Sequence, residues 1–364
     1  MASSLDHVAW ETCLIAPSRD RALESHARRK AGVPFPSIRY FVSVPWLARA
    51  SVDLHPEFGL LMHLEQSVAD LLTLVVSQEN SCRFCYAAVR ALLRAKGMSE
   101  GRIRDVQQQL GGTGDLSPRA AAVIAFGRAQ SRGGPGSARE ARAALRAAGF
   151  GEDEMKEIAF TVGSTDFSNR LHTIPAIPAR PLEEMPDKLV TRLLLPLFTY
   201  LVERHRFRGR ASAPVRPPVH PYARLVEAFA GSPIAPVLAQ ALEEMWASPL
   251  LARRCKLLML AIVARGLGCE LCAGEIAAAL AGEGIDAATL ARILDHLDAP
   301  ELDAVERLLV RFTRETIWFE PAVLQRRARA LRDHLSDEQF VEAIGVASLA
   351  NGLCRMGAMV LEHS

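Results

Sequence analysis

The chain has almost no net charge: 43 basic residues stand against 41 acidic ones, a formal +2. That balance gives no general electrostatic pull toward nucleic acid or an anionic membrane, so neither is expected as a partner. Cysteine is scarce, with seven in 364 residues, too few and odd in number for a disulfide-stapled scaffold. Long hydrophobic runs are missing; the most apolar stretch, Leu193 to Val202, is short for a bilayer span and contains Pro196. The opening MASSLDHVAWETCLIAPSRD lacks a basic start followed by an apolar run, so no secretory signal is expected, and the reading is a soluble, cytoplasmic protein. Strand patterns are absent as well. Ala, Leu, Arg and Glu dominate and apolar residues recur at helical spacing. With 49% hydrophobic and 23% charged residues, the composition is globular. The expected fold class is all-α.

Four of the cysteines form two C-x-x-C pairs, Cys82/Cys85 and Cys269/Cys272, set 187 residues apart. The same offset aligns their surroundings. Val68, Leu71, Leu72, Val75 and Val76 follow the i, i+3, i+4, i+7, i+8 pattern of a helix with one buried face, and they map onto Cys255, Leu258, Met259, Ile262 and Val263. Downstream, Gly97 maps to Gly284, Ile103 to Leu290, and Ser99 to Asp286, both good helix N-caps after a glycine. Further on, Glu157 and Glu342 are each followed 13 residues later by an arginine, Arg170 and Arg355. These matches predict two copies of one helical unit. The expected divisions are a polar lead-in over residues 1–32, a first unit over 33–186, a helix and basic Pro-rich connector over 187–220, and a second unit over 221–364. The five arginines of 204–220 are read as a solvated connector.

Each C-x-x-C pair follows an apolar helix and opens another. A thiol in the first turn of a helix sits at the positive end of the dipole, where its pKa falls and the reactive thiolate is favoured. Asn80 and Ser81 are expected to cap the first of these helices. Arg83 lies between Cys82 and Cys85 and should favour thiolate; Glu270 lies between Cys269 and Cys272 and should oppose it. Other readings stay open at this point. Two such pairs can hold one zinc ion, the cysteines can be small buried hydrophobes, or one copy can be active and the other scaffold.

The segments LLTLVVSQENSCRFCYAAVRALL (71–93), LSPRAAAVIAFGRAQSR (116–132) and LRAAGFGEDEMKEIAFTVGSTDFSNRL (145–171) carry a resemblance, as do LLMLAIVARGLGCELCAGEIAAAL (257–280) and LSDEQFVEAIGVASLANGLCRMG (335–357). The chain resembles the alkylhydroperoxidase D-like proteins of the carboxymuconolactone decarboxylase superfamily, here as two tandem helical domains. The resemblance implies a (hydro)peroxide-reducing enzyme that cycles a C-x-x-C dithiol. Cys85 and Cys272 would attack the peroxide, and Cys82 and Cys269 would resolve the sulfenic acid as a disulfide. It implies no metal or organic cofactor, only redox-active disulfides and an external thiol or dithiol reductant, and assembly as a homo-oligomer. The family motif also has a glutamate twelve residues before the first cysteine and a histidine four after the second, which relay protons. Here the glutamate slot holds Asp70 and Leu257, and the histidine slot holds Val89 and Ile276. Copy one, with Asp70, Cys82, Arg83 and Cys85, is the better candidate for activity. Glu79, Tyr86, His63 and His172 are possible spatial substitutes for the lost relay. Alternative functions are a non-redox, decarboxylase-like reaction on the same fold and a non-catalytic redox-sensing or scaffold module.

Overall fold

The computed structural model describes residues 5–32, 34–108, 117–132, 137–183, 197, 200 and 221–361. Among the described residues there are seventeen α-helices, one short 3₁₀ turn and no strand, so the fold is all-α. All but two positions of the stretch read as a helix and basic connector, 187–220, lie outside the described residues.

Helix α1 (Arg21–Ala31) is capped by the Asp20 carboxylate, which accepts from the Ala22 and Leu23 amides, and it ends at Gly32 in the left-handed region. After a 3₁₀ turn over Pro36–Tyr40, α2 (Pro45–Asp53) starts on a proline that needs no amide partner there. The chain continues through α3 (Gln66–Glu79), α4 (Arg83–Ala95), α5 (Glu100–Gln108), α6 (Pro118–Arg132), α7 (Ser137–Ala147), α8 (Glu152–Thr173) and α9 (Arg180–Glu183). The later helices are α10 (Ala223–Ala228), α11 (Ile234–Ala247), α12 (Arg253–Leu267), α13 (Glu270–Gly282), α14 (Ala287–His296), α15 (Ala304–Glu315), α16 (Pro321–Arg332) and α17 (Asp337–Val360). Residues expected to be a lead-in are tied in: the Trp10 indole donates to the Ile177 carbonyl, and the Leu14 amide to that of Pro175.

The 187-residue offset recurs in the hydrogen bonds. The Cys82 amide donates to the Ser77 carbonyl, and the Cys269 amide to that of Ala264, each at 3.0 Å. Met98 donates to Leu93, and Ile285 to Leu280. The Ser99 hydroxyl accepts from the Arg102 amide as the Asp286 carboxylate accepts from Thr289. Glu157 and Glu342 also do parallel work. The Glu157 carboxylate accepts from the amides of Met62, His63 and Leu64. That of Glu342 accepts from the Leu251 amide at 2.7 Å and the Trp46 indole, and pairs with the buried Lys256. Each glutamate thus anchors the loop before an apolar helix, α3 or α12.

The two longest helices, α8 and α17, pack against each other at the centre. Their approach requires glycine. A Cβ on Gly163 would lie 2.6 Å from the Gly352 carbonyl oxygen, and one on Gly352 would lie 2.6 Å from that of Gly163. Helix α17 is long and apolar enough to cross a membrane, but most of its apolar window is buried inside the protein.

Beside this crossing a single carboxylate is shared by both arginines that the sequence pairs. Asp166 Oδ1 accepts from Arg170 Nη1 at 2.8 Å, and Oδ2 lies 3.0 Å from Arg355 Nε. Arg170 also donates to the Thr316 and Ile317 carbonyls at the end of α15, and Arg355 to that of Gln130 at the end of α6. Burial pulls the Arg170 guanidinium down to about 10, with Asp166 opposing and Arg355 adding to the fall. Two buried cations on one buried anion make that anion hard to replace. Asp166→Ala should lower stability by about 3–5 kcal/mol, the loss typical when one partner of a buried ion pair is removed, and Asp166→Asn by less. Urea denaturation of the three proteins checks this order.

Candidate functional site

Helix α3 ends at Glu79, and the turn to α4 passes through Asn80 and Ser81, whose φ of 50° is left-handed. That strained position is held from the core side: the Asn80 side-chain amide donates to Asp166 Oδ1 at 2.7 Å. The turn places Cys82, rather than Asn80 or Ser81, at the N-cap of α4, and its sulfur accepts from the Cys85 amide at 3.3 Å. Cys269 occupies the same N-cap position on α13. Cys82 and Cys85 are free thiols, whereas Cys269 and Cys272 form a disulfide.

Across from α4, α8 brings Ser168 and His172 to the second thiol. Cys85 Sγ lies 3.6 Å from the Ser168 carbonyl oxygen and 3.7 Å from His172 Nδ1. The imidazole is stacked flat on Phe84, with ring centroids 4.3 Å apart, and its edge meets Phe41. Its tautomer follows from a further contact. His172 Nδ1 is 2.7 Å from the Ser168 carbonyl oxygen, and an oxygen at that distance requires a proton on Nδ1. The basic lone pair is therefore on Nε2, which is buried and has no hydrogen-bond partner.

Cys85 and His172 share a cavity of about 320 Å³ whose wall also includes Phe35, Tyr40, His55 and Val89. None of its lining residues is Asp, Glu, Lys or Arg. Burial holds His172 down to about 4, and His55 likewise to about 4, with Asp70 pulling the latter the other way. Both rings are neutral near pH 7. The Cys85 thiol is pushed well above its ordinary value, first by burial and then by the neighbouring Cys82. The expectation of a thiolate favoured by the helix N-terminus is thus reversed: at this depth, desolvation outweighs the dipole.

The other predicted helpers are engaged elsewhere. Arg83, expected to activate the thiols, forms a two-pronged pair with Glu183 at 2.9 and 3.0 Å and donates to the Val8 carbonyl. Asp70 is buried and held by Lys96 and Gln66, outside the cavity wall. Glu79 pairs with Arg128 at 3.2 Å, and the His63 side chain is exposed. Tyr86 is buried and does not line the cavity. Of the candidates for the lost relay, His172 is the one that lines the cavity with Cys85, 3.7 Å from its sulfur. His55, which also lines the cavity, has no signal in the sequence, because it sits in the non-helical turn after α2, where there is no periodicity.

The second pair has a different setting. Cys269 and Cys272 are 1% and 2% exposed. Gly357 stands 185 residues after His172, the spacing that also separates Glu157 from Glu342 and Arg170 from Arg355. A Cβ on Gly357 would lie 2.7 Å from Cys272 Sγ and 3.0 Å from Cys269 Sγ. Helix α17 therefore lies directly on these sulfurs, with Ile276 buried beneath them in α13. Glu275 turns away and accepts from the Tyr222 amide. Among the described residues no three or more His, Cys, Asp or Glu side chains gather as a metal site requires.

Comparison with known protein families, curated proteins and solved structures found no match.

The depressed histidine gives a signed pH dependence. His172 takes up a proton near its ordinary 6.5 when unfolded but only near 4 when folded, so its contribution to stability is full above pH 6.5 and is lost as pH falls toward 4. The loss is up to roughly 3 kcal/mol. His172→Gln should reduce the difference between urea midpoints at pH 7.5 and pH 4.5; an unchanged difference would show that the ring does not sit in this buried, neutral state.

Proposed function

We propose that the chain is a tandem pair of alkylhydroperoxidase D-like units in which the first acts as a thiol-dependent hydroperoxide reductase. The observation that carries this reading is the imidazole 3.7 Å from Cys85 at a cavity able to admit a small organic molecule. The sequence motif loses its relay histidine at Val89, and His172 supplies an imidazole to the same sulfur from the facing helix α8. The recurrence of the Glu157 and Glu342 anchors and of the N-cap cysteines supports the tandem reading.

In the proposed cycle Cys85 sulfur attacks the terminal oxygen of a bound ROOH. An S–O bond forms, the O–O bond breaks, and the thiol proton ends on the departing alcohol ROH. His172, the imidazole beside the sulfur, relays this proton from the thiol to the leaving oxygen, and its Nδ1–H stays on the Ser168 carbonyl. Cys82 sulfur then displaces water from the Cys85 sulfenic acid, closing a disulfide. An external dithiol reopens it by exchange, so two electrons pass from donor to peroxide for each turnover. The first step starts from a thiol with a raised pKa, so the rate should climb from neutral pH toward pH 9 and above. The second unit serves as scaffold, a reading favoured by the glycine packed on its disulfide.

The test is steady consumption of tert-butyl hydroperoxide with a dithiol donor. Cys85→Ser should abolish it, and His172→Phe should lower it by about 10²–10³-fold. Cys269→Ser with Cys272→Ser should leave turnover within about threefold when corrected for folded protein. Loss of activity from the second pair rather than the first would overturn the assignment, and a single stoichiometric oxidation would favour a redox-sensing module.

A further inference from the structure

The cavity holds a second imidazole that the proposed cycle leaves unused. The Glu57 amide lies 3.4 Å from His55 Nδ1. A backbone N–H only donates, so Nδ1 is the bare nitrogen, and a neutral ring must then carry its proton on Nε2. The ring is fixed between aromatic neighbours, stacked on Phe58 at 4.8 Å between centroids and edge-on to Phe35. It lines the same cavity as Cys85 and His172. The two histidines that line it are therefore opposite tautomers: the proton is on Nδ1 in His172 and on Nε2 in His55.

We infer that His55 is a catalytic hydrogen-bond donor whose Nε2–H binds the leaving oxygen of the hydroperoxide while Cys85 attacks the other oxygen. The inference rests on the proposed reductase reading and deepens it. When the O–O bond breaks, negative charge develops on the oxygen bound to carbon. The cavity wall offers no cation to meet it, and a fixed neutral imidazole N–H supplies the stabilisation without having to shed a proton. The electron pair of the O–O bond leaves with that oxygen, and the proton that completes the alcohol comes from His172, which received it from the Cys85 thiol. His55 ends the step unchanged.

Such a donor matters in proportion to the charge that needs it. An alkoxide is a poor leaving group and a carboxylate a good one. The measurement is the single-turnover rate of Cys85 oxidation in a Cys82→Ser background, with tert-butyl hydroperoxide and with peracetic acid. His55→Phe should slow the alkyl hydroperoxide by about 10²-fold or more, the scale of one lost oxyanion donor, and peracetic acid by less than about tenfold. His55→Gln places an amide N–H near the Nε2 position and should recover at least about tenfold of the loss. His55→Asn places its amide near Nδ1 and should not; it replaces the Phe variant if that protein does not fold. Equal losses with both oxidants, or a Gln variant no faster than Asn, would reduce His55 to a packing residue and overturn the inference alone. An unaltered Cys85 site inert to both oxidants would overturn the reductase reading and this inference with it.

Discussion

The arrangement depends on one buried carboxylate answering two guanidinium groups. Asp166 sits beside the crossing of α8 and α17 and receives Arg170 from its own helix and Arg355 from the other. Its remaining interaction goes outward to Asn80, in the turn that delivers Cys82 to the head of α4. Buried ions are costly unless paired and hydrogen-bonded, so these groups have little freedom to settle elsewhere. The same charge that holds the helix pair together therefore fixes the left-handed turn before the thiols. Fold and site are tied through a single side chain.

The partner of Asp166 at the 185-residue spacing is Asn351, which donates to the Thr316 hydroxyl and the Ala347 carbonyl. The centre where α8 meets α17 thus carries its carboxylate on one side alone. A second carboxylate there would bring two anions together with two cations in a space from which water is excluded. The asymmetry runs outward to the sulfurs. In the first half α8 presents a histidine to Cys85 and leaves room beside it; in the second half α17 presents a glycine and fills the space. All four sulfurs are buried, and of them Cys85 lines the cavity while the disulfide is covered by α17.

Much of this was legible in the sequence. The helical class follows from spacing and composition, and the sequence pairs Arg170 with Arg355, which in the structure meet one carboxylate. The identity of that carboxylate was not legible, since an i, i+4 Asp–Arg pair looks the same on a solvated face as in a core. Two errors share a cause. The activation expected of Arg83 and the lowered thiol pKa both assume that local neighbours in sequence decide the field. Glu183, about a hundred residues on, takes the arginine, and burial decides the thiol. His172 could be weighed as one of several possible substitutes but not chosen, because α4 and α8 meet only in three dimensions. His55 lies in a turn where no period exists to read.

The close contact of Gly163 with Gly352 also bears on biosynthesis. Helix α8 leaves the ribosome well before α17, so for the time needed to make the intervening residues its apolar flank and the Asp166 carboxylate lack their eventual cover. Domains that complete early can fold as they emerge; this core cannot close until the last long helix arrives. The nascent polypeptide therefore passes through an interval in which chaperone capture or aggregation competes with productive closure, and slower translation across that stretch would lengthen it.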